Sequence, residues 1–520
     1  MTFIDPVTPV PRAADLGAVH FVGVGGISMS GLAAMMRARG MTVSGSDSRD
    51  SRELTALRAL GVRTTVGHDA AAVDGVDTLV VSSAIRPDNP ELVAARAAGL
   101  LVLPRVVALV SLMAGRRVAA VSGTHGKTTT TSMLTVALQA AGLDPSFAIG
   151  GQLAGSGANA HEGRGDVFVA EADESDGSFL LFAPEVAVVP NVEADHLDNY
   201  GTAAAYAAAF DAFADRVRPG GVLVAGADDP GAAALAASAA ARYAADGSGR
   251  RTVLVGTGTR AEGGVGTGTG TGAEGGVGVD VAAGAVGLGQ VHLSGTGSRT
   301  PVSLTTGDGT RWDGVLALRV PGRHNVADAA CALAAAVALG ADPTTAVDAL
   351  AGFAGTRRRF EAKGAAGGVR VFDEYAHHPT EVAAAVAAAR TVAGTGRVVA
   401  VFQPHLYSRT RIFADAFGAA LGAADEVVVM DVYGAREDPD PAVSGALVAA
   451  AVPLPGERVT YSRSWTGTPQ VVAARARPGD VVLTIGAGDV TMIGPEVLAL
   501  LAADQAPGRP TRPAVPGGQP

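Results

Sequence analysis

The stretch Val118–Thr131 constrains the fold more than any other part of this chain. Its first four residues are apolar and predict a buried strand, and the turn Gly-Thr-His-Gly-Lys-Thr follows shortly after. The residues beyond the turn are rich in Thr, Leu and Ala and predict a helix. A strand that leads through such a turn into a helix N-terminus predicts a phosphate-binding loop, because the N–H groups of the turn and the helix dipole face an anion.

Lys127 is expected to reach the outer phosphates of a nucleotide, and the Thr128 hydroxyl is expected to bind Mg²⁺. The full consensus of such loops has another glycine five positions before Gly126, where this chain has Val121. The alternative interpretation is a glycine turn beside a surface lysine. We favour the phosphate loop because Gly, Lys and Thr all occupy the required positions between strand and helix.

Length, charge and cysteine content narrow the class of protein. A chain of 520 residues suggests about three domains. The net charge of −10, from 40 basic and 50 acidic residues, argues against a nucleic-acid partner. An anionic nucleotide is not excluded as a ligand, because it needs only one local phosphate-binding site. The single cysteine, Cys331, excludes internal disulfides and fits a reducing compartment.

The sequence shows no sign of export or membrane insertion. No stretch approaches the roughly 18 uninterrupted apolar residues of a membrane span. Residues 1–15 carry two Asp and three Pro instead of a basic region followed by an apolar core. We therefore expect no signal peptide, no membrane insertion and a cytoplasmic location.

The N-terminal region has the pattern of a dinucleotide-binding βαβ unit. Residues 18–44 predict a strand, a glycine turn, a helix and a second strand, and Asp47 follows about 20 positions after the glycines. Ser28 replaces the third glycine of that consensus, so a plain βα turn remains the alternative. Two further predicted strands, 78–83 and 102–105, complete this unit.

Two acidic runs, residues 171–176 and 190–198, each directly follow a predicted strand. Mg²⁺ prefers carboxylate oxygens and substrate phosphates, so two such runs beside a phosphate loop predict a metal–nucleotide site. The alternative is that these acids are solvated strand ends and that His196 is structural. We favour Glu171 and His196 as residues on the metal side of the site.

The later part of the chain predicts another parallel sheet, because its strands alternate with helices. The predicted strands are 369–372, 397–402, 427–430 and 481–485. Polar residues follow their carboxyl ends, where open α/β sheets bind ligands. The three arginines 357–359 are either a solvated run or ligands of the phosphates.

We therefore predict an α/β protein of three domains, each built on a largely parallel sheet. These are a Rossmann-like N-terminal domain over 1–110, a P-loop central domain over 111–319 and a Rossmann-like C-terminal domain over 320–503. The Gly-Thr-rich residues 256–278 predict a flexible insert in the central domain, because this composition cannot bury apolar surface. The proline-rich tail 504–520 predicts disorder.

Together these motifs resemble the Mur ligase family of peptidoglycan synthesis, from about Ala18 to Leu501. The phosphate loop is similar to that of the whole superfamily, folylpolyglutamate synthetase included. More specific runs resemble the alanine-adding members of the family, and these are residues 25–31, 171–176, 377–381 and 402–405.

The resemblance implies an ATP-dependent amide-bond ligase with ATP and Mg²⁺ as cofactors. The carboxylate of UDP-N-acetylmuramate would attack the γ-phosphate of ATP to form an acyl phosphate. The amine of L-alanine would then displace phosphate. The N-terminal domain would hold the UDP group without any redox role, and the oligomeric state is left open.

The resemblance also implies a set of site residues. The nucleotide contacts would be Gly123, Thr124, His125, Gly126, Lys127, Thr128, Thr129 and Asn325. The metal would be held by Thr128, Glu171 and His196. The catalytic residues would be Lys127, Glu171, His196, Arg359, His377 and Arg409. Among these, Lys127 and Arg359 would neutralise the transferred phosphoryl group, while the His377 region and Arg409 would place the amino acid.

Four positions depart from the pattern of the family. Asp328, Glu374 and Leu406 stand where Asn, Asp and Arg are usual, so Asn325 is favoured over Asp328 as a nucleotide contact. Phe210 stands where later Mur ligases carry a carbamylated lysine, so the metal site must do without that ligand.

Two other classes of function remain as alternatives. A nicotinamide oxidoreductase would explain the N-terminal region alone and would leave Lys127 unused. A binding protein with ATP as a switch would explain the phosphate loop, but it would not explain the polar strand ends of the C-terminal region.

Overall fold

The computed structural model describes residues 8–82, 84–257, 285–305, 309–435 and 437–503. The predictions for the Gly-Thr insert beyond Thr257 and for the tail from residue 504 lie outside the described residues. The chain divides into two compact units. Unit 1 comprises the residues up to 292 together with 298–319 and 324–356, and unit 2 comprises 293–297, 320–323 and the residues from 357 onwards. None of the described helices combines the length and the apolar character that crossing a membrane requires.

The first sheet of unit 1 is parallel throughout, in the order β3-β2-β1-β4-β5. Its strands are β1 Val19–Val22, β2 Val43–Asp47, β3 Arg63–Val66, β4 Thr78–Val81 and β5 Leu101–Pro104. Its helices are α1 Ile27–Ala38, α2 Arg52–Ala59, α3 Pro90–Ala97 and α4 Arg105–Ser111. The predicted βαβ start is confirmed, and Asp47 accepts the N–H of Gly25 at 2.9 Å.

The second sheet of unit 1 carries the phosphate loop and runs in the order β15-β13-β12-β11-β10-β6-β9-β7-β8, with β16 paired to β15. Its strands are β6 Arg117–Val121, β7 Ser146–Ala148, β8 Ala160–His161, β9 Val167–Glu171, β10 Val186–Val189, β11 Val222–Gly226, β12 Arg251–Thr257, β13 Ala285–Leu288, β15 Gly297–Thr305 and β16 Arg311–Leu318. A short strand, β14, spans His292–Ser294. The pairs β7–β8, β13–β15 and β15–β16 are antiparallel.

The order β10-β6-β9 in this sheet positions the site. Strand β6 pairs in parallel with β9 on one side and with β10 on the other. Because the carboxyl ends of parallel strands meet at one edge, the acidic runs after β9 and β10 flank the loop that follows β6. All three strands are buried over nearly their whole length, as expected for strands that are covered on both faces.

Six helices accompany the second sheet, and they are α5 Lys127–Ala140, α6 Leu197–Tyr200, α7 Ala203–Asp215, α8 Pro230–Asp246, α9 Arg323–Ala338 and α10 Pro343–Ala351. Side chains of Thr202 and Asp229 cap the starts of α7 and α8, which satisfies N–H groups that a helix N-terminus leaves unpaired.

Residues 324–356, with α10 and nearly all of α9, group with unit 1. Helix α10 packs against α5 and β16. This division is into two units, so the three predicted domains, the last of them beginning at residue 320, stay predictions.

Unit 2 is a mainly parallel sheet in the order β17-β18-β22-β19-β20-β21, with β17 antiparallel to β18. Its strands are β17 Glu361–Ala366, β18 Val369–Glu374, β19 Val398–Phe402, β20 Glu426–Met430, β21 Val459–Ser462 and β22 Val481–Ile485. Its helices are α11 Pro379–Ala393, α12 Tyr407–Leu421, α13 Gly445–Ala451, α14 Thr468–Arg475 and α15 Ile493–Ala503. Separate apolar clusters form its core, so the predicted doubly wound α/β sheet is confirmed.

Candidate active site

The predicted phosphate loop leads from β6 into α5, which begins at Lys127. Gly123 and Gly126 have φ values of 125° and 79°, in the left-handed region that favours glycine. A Cβ on Gly126 would overlap the carboxylate of Asp328. The predicted strand–turn–helix arrangement is therefore confirmed, and Asp328 from α9 closes one side of the turn.

The loop is held against the strand end that follows β10. The N–H of His125 donates to Asn191 Oδ1 at 2.7 Å, and Asn191 Nδ2 donates back to the His125 carbonyl at 3.0 Å. The Thr124 hydroxyl donates to the Glu193 carbonyl at 2.8 Å, and His125 Nε2 lies 2.9 Å from Glu193 Oε2. Asn191 belongs to the second acidic run, but no sequence pattern singles it out as a contact of the loop.

Lys127 is turned back onto its own loop. Its Nζ donates to the carbonyls of Gly123 at 2.7 Å and Thr124 at 3.1 Å, and it lies 2.9 Å from both carboxylate oxygens of Glu174. Burial lowers the pKa of Lys127, but the carboxylates of Glu174, Asp173 and Glu171 outweigh burial and raise it. The ammonium group is therefore charged at neutral pH.

Glu174 is the acid nearest to Lys127, and it is fully buried. Burial raises its pKa to about 7, against the opposing effect of Lys127. The Tyr200 hydroxyl donates to its carbonyl, and His196 Nε2 lies 3.8 Å from its Oε1. Sequence spacing did not single out Glu174 within the run 171–176, because it does not show which of several neighbouring acids lies against a lysine. Glu171 stays a predicted ligand of the metal.

The three predicted metal ligands do not all have the same neighbours. Glu171, at the end of β9, accepts the N–H of Gly150 at 2.8 Å. A Cβ on Gly151 would lie 3.0 Å from Thr128 Cγ2, so Thr128 and Glu171 flank the same glycine pair. His196, with φ of 52°, instead faces Asp195 and Glu174.

A cavity of about 230 Å³ lies beside Glu171 in unit 1. It is lined by Ser28 and Leu32 of α1, by residues of α4, and by residues that follow β7 and β9. Its charged side chains are Arg105, Glu171 and Asp173. The cavity therefore lies between elements of the first sheet and the Glu171 side of the predicted phosphate loop.

Two other predicted nucleotide contacts, Thr129 and Asn325, are buried, in α5 and α9. Phe210 is also buried and packs edge-on against Tyr206 and Phe179, with ring centroids 5.3 and 5.4 Å apart. An aromatic cluster therefore occupies the position at which the resemblance places a carbamylated lysine in other members of the family.

In unit 2, aromatic and basic side chains meet at the carboxyl ends of β18, β19 and β20. The guanidinium of Arg359 lies 5.1 Å from the Tyr375 ring centroid. The His377 ring lies 5.6 Å from Tyr375 and 6.1 Å from His405, and His405 stacks on Tyr433 at 6.0 Å. Predicted residues Arg359 and His377 are thus brought into one group.

The side chain of Glu374 contacts the backbone beside this group. Its carboxylate accepts the N–H groups of Phe360 at 2.9 Å and Ala376 at 3.0 Å. Burial raises its pKa to about 7, and Arg359 opposes the rise. Arg409 is buried in the first turn of α12.

A second cavity, of about 280 Å³, opens at the same edge of the sheet in unit 2. Its lining includes Gln403, Asp431, Tyr433, Arg463 and Asp489. Polar groups of this kind at the carboxyl ends of parallel strands are typical of a ligand-binding edge.

Comparisons with known proteins show the family of this chain. The family model "Mur ligase family, catalytic domain" matches residues 18–117, "Mur ligase middle domain" matches 121–249, and "Mur ligase, glutamate ligase domain" matches 358–488. A curated relative from Nocardioides sp., named UDP-N-acetylmuramate–L-alanine ligase, is 57% identical over 497 residues, which are 96% of this chain and 98% of the relative. A relative of the same name from Saccharopolyspora erythraea is 55% identical and covers 96% of each chain.

Solved structures show the same architecture. The crystal structure of a UDP-N-acetylmuramate–alanine ligase from Thermotoga maritima superposes with a TM-score of 0.72 at 27% identity, over 94% of this chain and 99% of that one. A murein peptide ligase from Psychrobacter arcticus, at 23% identity and a TM-score of 0.64, shares the fold. With matching models over all three domains and close relatives aligned over almost its full length, the chain belongs to the Mur ligase family.

Proposed function

We propose that this chain is an ATP-dependent ligase that joins L-alanine to the carboxylate of UDP-N-acetylmuramate through an acyl phosphate. The observation that carries the proposal is Lys127 at the start of α5, with acidic strand ends on both sides of its loop. The names of the relatives at 57% and 55% identity support the choice of substrates.

Unit 1 would bind the nucleotide and activate the sugar carboxylate. The N–H groups of the loop and the positive end of α5 would hold the phosphates, and Lys127 would neutralise charge on the transferred phosphoryl group. The cavity beside Glu171 would receive the carboxylate end of the UDP-sugar, because Arg105 supplies a positive charge there.

The residues of the loop edge fit Mg²⁺, since this ion prefers oxygen ligands and substrate phosphates. Thr128, Glu171 and His196 would hold it. When bound, Mg²⁺ would offset phosphate charge during phosphoryl transfer. The protein itself keeps Glu171 oriented through the N–H of Gly150.

Unit 2 would place the amino acid. The group of Tyr375, His377 and His405 lies at a ligand-binding edge of the sheet, and Arg409 follows on the first turn of α12. A guanidinium suits the carboxylate of an amino acid, because it can donate two parallel hydrogen bonds. Arg359 lies beside Tyr375 in the same group, and its predicted role in phosphoryl transfer stays a prediction.

A coupled ADP-release assay tests the proposal. ADP should appear only when ATP, Mg²⁺, UDP-N-acetylmuramate and L-alanine are all present, and mass spectrometry should detect the alanyl product. Glycine, L-serine and UDP-N-acetylglucosamine serve as controls for the two substrates. ADP release without any amino acid would contradict the ligase assignment, and binding of a nicotinamide nucleotide by the N-terminal sheet would favour the oxidoreductase alternative.

A further inference from the structure

Tyr206 contacts the phosphate loop although it lies on α7, outside every motif of the sequence. Its hydroxyl is 3.0 Å from Thr124 Oγ1 and 3.4 Å from Glu174 Oε1. It is closer to the Glu174 carboxylate than His196 Nε2, which lies at 3.8 Å. The hydroxyl therefore joins the loop to the acid that pairs with Lys127.

The Tyr206 ring is held rigidly in this position. It is 1% exposed, and it packs edge-on against Tyr200 and Phe210 at centroid distances of 5.1 and 5.3 Å. Burial, and then the nearby Glu174 carboxylate, raise the pKa of Tyr206. The hydroxyl therefore keeps its proton and remains a hydrogen-bond donor across the working pH range.

The hydrogen bonds of Lys127 explain why the Glu174 carboxylate needs a second hydrogen-bond donor. An ammonium group has three donors, and those of Lys127 face the carbonyls of Gly123 and Thr124 and the Glu174 carboxylate. To contact a phosphate, Lys127 must give up at least one of these partners. Giving up Glu174 would leave a buried carboxylate with less compensation, which is costly.

A tyrosine has one hydroxyl proton, so Tyr206 donates either to Thr124 or to Glu174. Thr124 Oγ1 already receives the N–H of Glu193 at 2.9 Å, so it can lose the tyrosine proton without becoming unsatisfied. The hydroxyl can therefore turn towards Glu174 when Lys127 leaves.

We propose that Tyr206 is a positioning residue that holds the Glu174 carboxylate while Lys127 exchanges from Glu174 to a phosphate of ATP. This inference rests on the ATP site of the proposed function. It adds to the reaction a residue that acts through Glu174 and Lys127 and does not itself touch the substrate.

The test compares Tyr206→Phe with Tyr243→Phe. Tyr243 is a matched control, because it is buried on α8 and its hydroxyl donates to the Ala214 carbonyl, away from the loop. Binding of a non-hydrolysable ATP analogue with Mg²⁺ is measured by calorimetry, at a temperature below the unfolding midpoints of both variants. Tyr206→Phe should raise the Kd about tenfold, as expected for losing a hydrogen bond to a charged group, whereas Tyr243→Phe should change it less than about twofold.

A Glu174→Gln background separates positioning from general destabilisation. If Tyr206 acts through the carboxylate, Tyr206→Phe should have almost no further effect on the Kd in that background. Equal Kd values for the two tyrosine variants, or an undiminished effect in the Glu174→Gln background, would overturn the inference. Because analogue binding needs neither UDP-sugar nor alanine, failure of the ligase assignment would show separately, in the ADP-release assay of the unsubstituted protein.

Discussion

Lys127 is the side chain on which the proposed chemistry of unit 1 most depends. It begins α5, and three carboxylates keep its pKa raised in spite of burial. Lys127→Ala should lower turnover at least about 100-fold, because the charge on the transferred phosphoryl group is lost. The variant should still fold, but with a lower unfolding midpoint, because the buried Glu174 loses its cation. The control is Lys363→Ala, since Lys363 is the chain's other lysine and pairs with Glu361 in unit 2. Near-normal turnover of the Lys127 variant would refute the phosphate-loop assignment.

Arg409 is the residue from which we expect amino-acid specificity. A lysine at this position keeps the charge but loses the planar fork that binds a carboxylate. Arg409→Lys should therefore raise the KM for L-alanine at least about tenfold and leave the KM for ATP nearly unchanged. Arg411→Lys is the matched control, because Arg411 is exposed on the same helix and pairs with Asp440. A shift in the ATP constant alone would place Arg409 on the phosphate side.

At the level of elements, the turn between β6 and α5 depends on Gly126. Gly126 and Gly142 flank the same helix with φ values of 79° and 75°, but a Cβ on Gly142 would meet open space, whereas a Cβ on Gly126 would meet Asp328. Alanine at either site costs about 1–2 kcal/mol of stability through its backbone conformation. Only Gly126→Ala should also raise the KM for ATP, by about tenfold or more, and steady-state kinetics of both variants checks this.

The connection between β12 and β13 limits how many residues can be deleted from the Gly-Thr-rich insert, and the sequence alone does not show this limit. The two strands are parallel, with Leu254 beside Ala285, so the end of β12 and the start of β13 are not adjacent. Deleting 258–276 leaves residues 277–284, which reach about 25 Å when extended, and should keep turnover within about twofold. Deleting 258–284 leaves no connection and should lower the unfolding midpoint sharply. A large loss of turnover in the shorter deletion would show that the tract belongs to the site.

At the scale of the whole molecule, both units contain a buried carboxyl whose pKa is raised to about 7, Glu174 and Glu374. Each folded-state pKa exceeds the model-peptide value, so the folded protein binds these protons more tightly than the unfolded chain. The two groups contribute fully to the free energy of unfolding below about pH 4.5. This contribution is lost as the pH rises through about 7, and the loss is roughly 3 kcal/mol or less per group.

The unfolding midpoint of the ligand-free protein should therefore decrease as the pH is raised from about 5 to about 8. Glu174→Gln removes one of the two groups and should flatten this fall, whatever the substitution does to the midpoint itself. Differential scanning fluorimetry at constant ionic strength measures both slopes. Identical slopes, or a midpoint that rises over this range, would contradict the assignment of raised pKa values.

Local sequence patterns predicted the α/β class, the phosphate loop and the strand ends on which the candidate residues lie. These follow from local information: apolar runs of strand length, glycines where φ is positive, and a lysine at a helix start. The same local signals identified Asp47, which accepts the N–H of Gly25, and they grouped Arg359 with His377 in one domain.

Which of these groups meet depends on how the strands and helices pack. The pairing of β6 between β9 and β10 brought both acidic runs to the loop. Glu174, which the sequence patterns did not single out, is the partner of Lys127, and Tyr206 reaches the loop from a helix of mostly small residues. These contacts join residues distant in sequence, and their energies depend on burial and distance. Sequence spacing fixes neither quantity, whereas packing of the sheet and its helices fixes both.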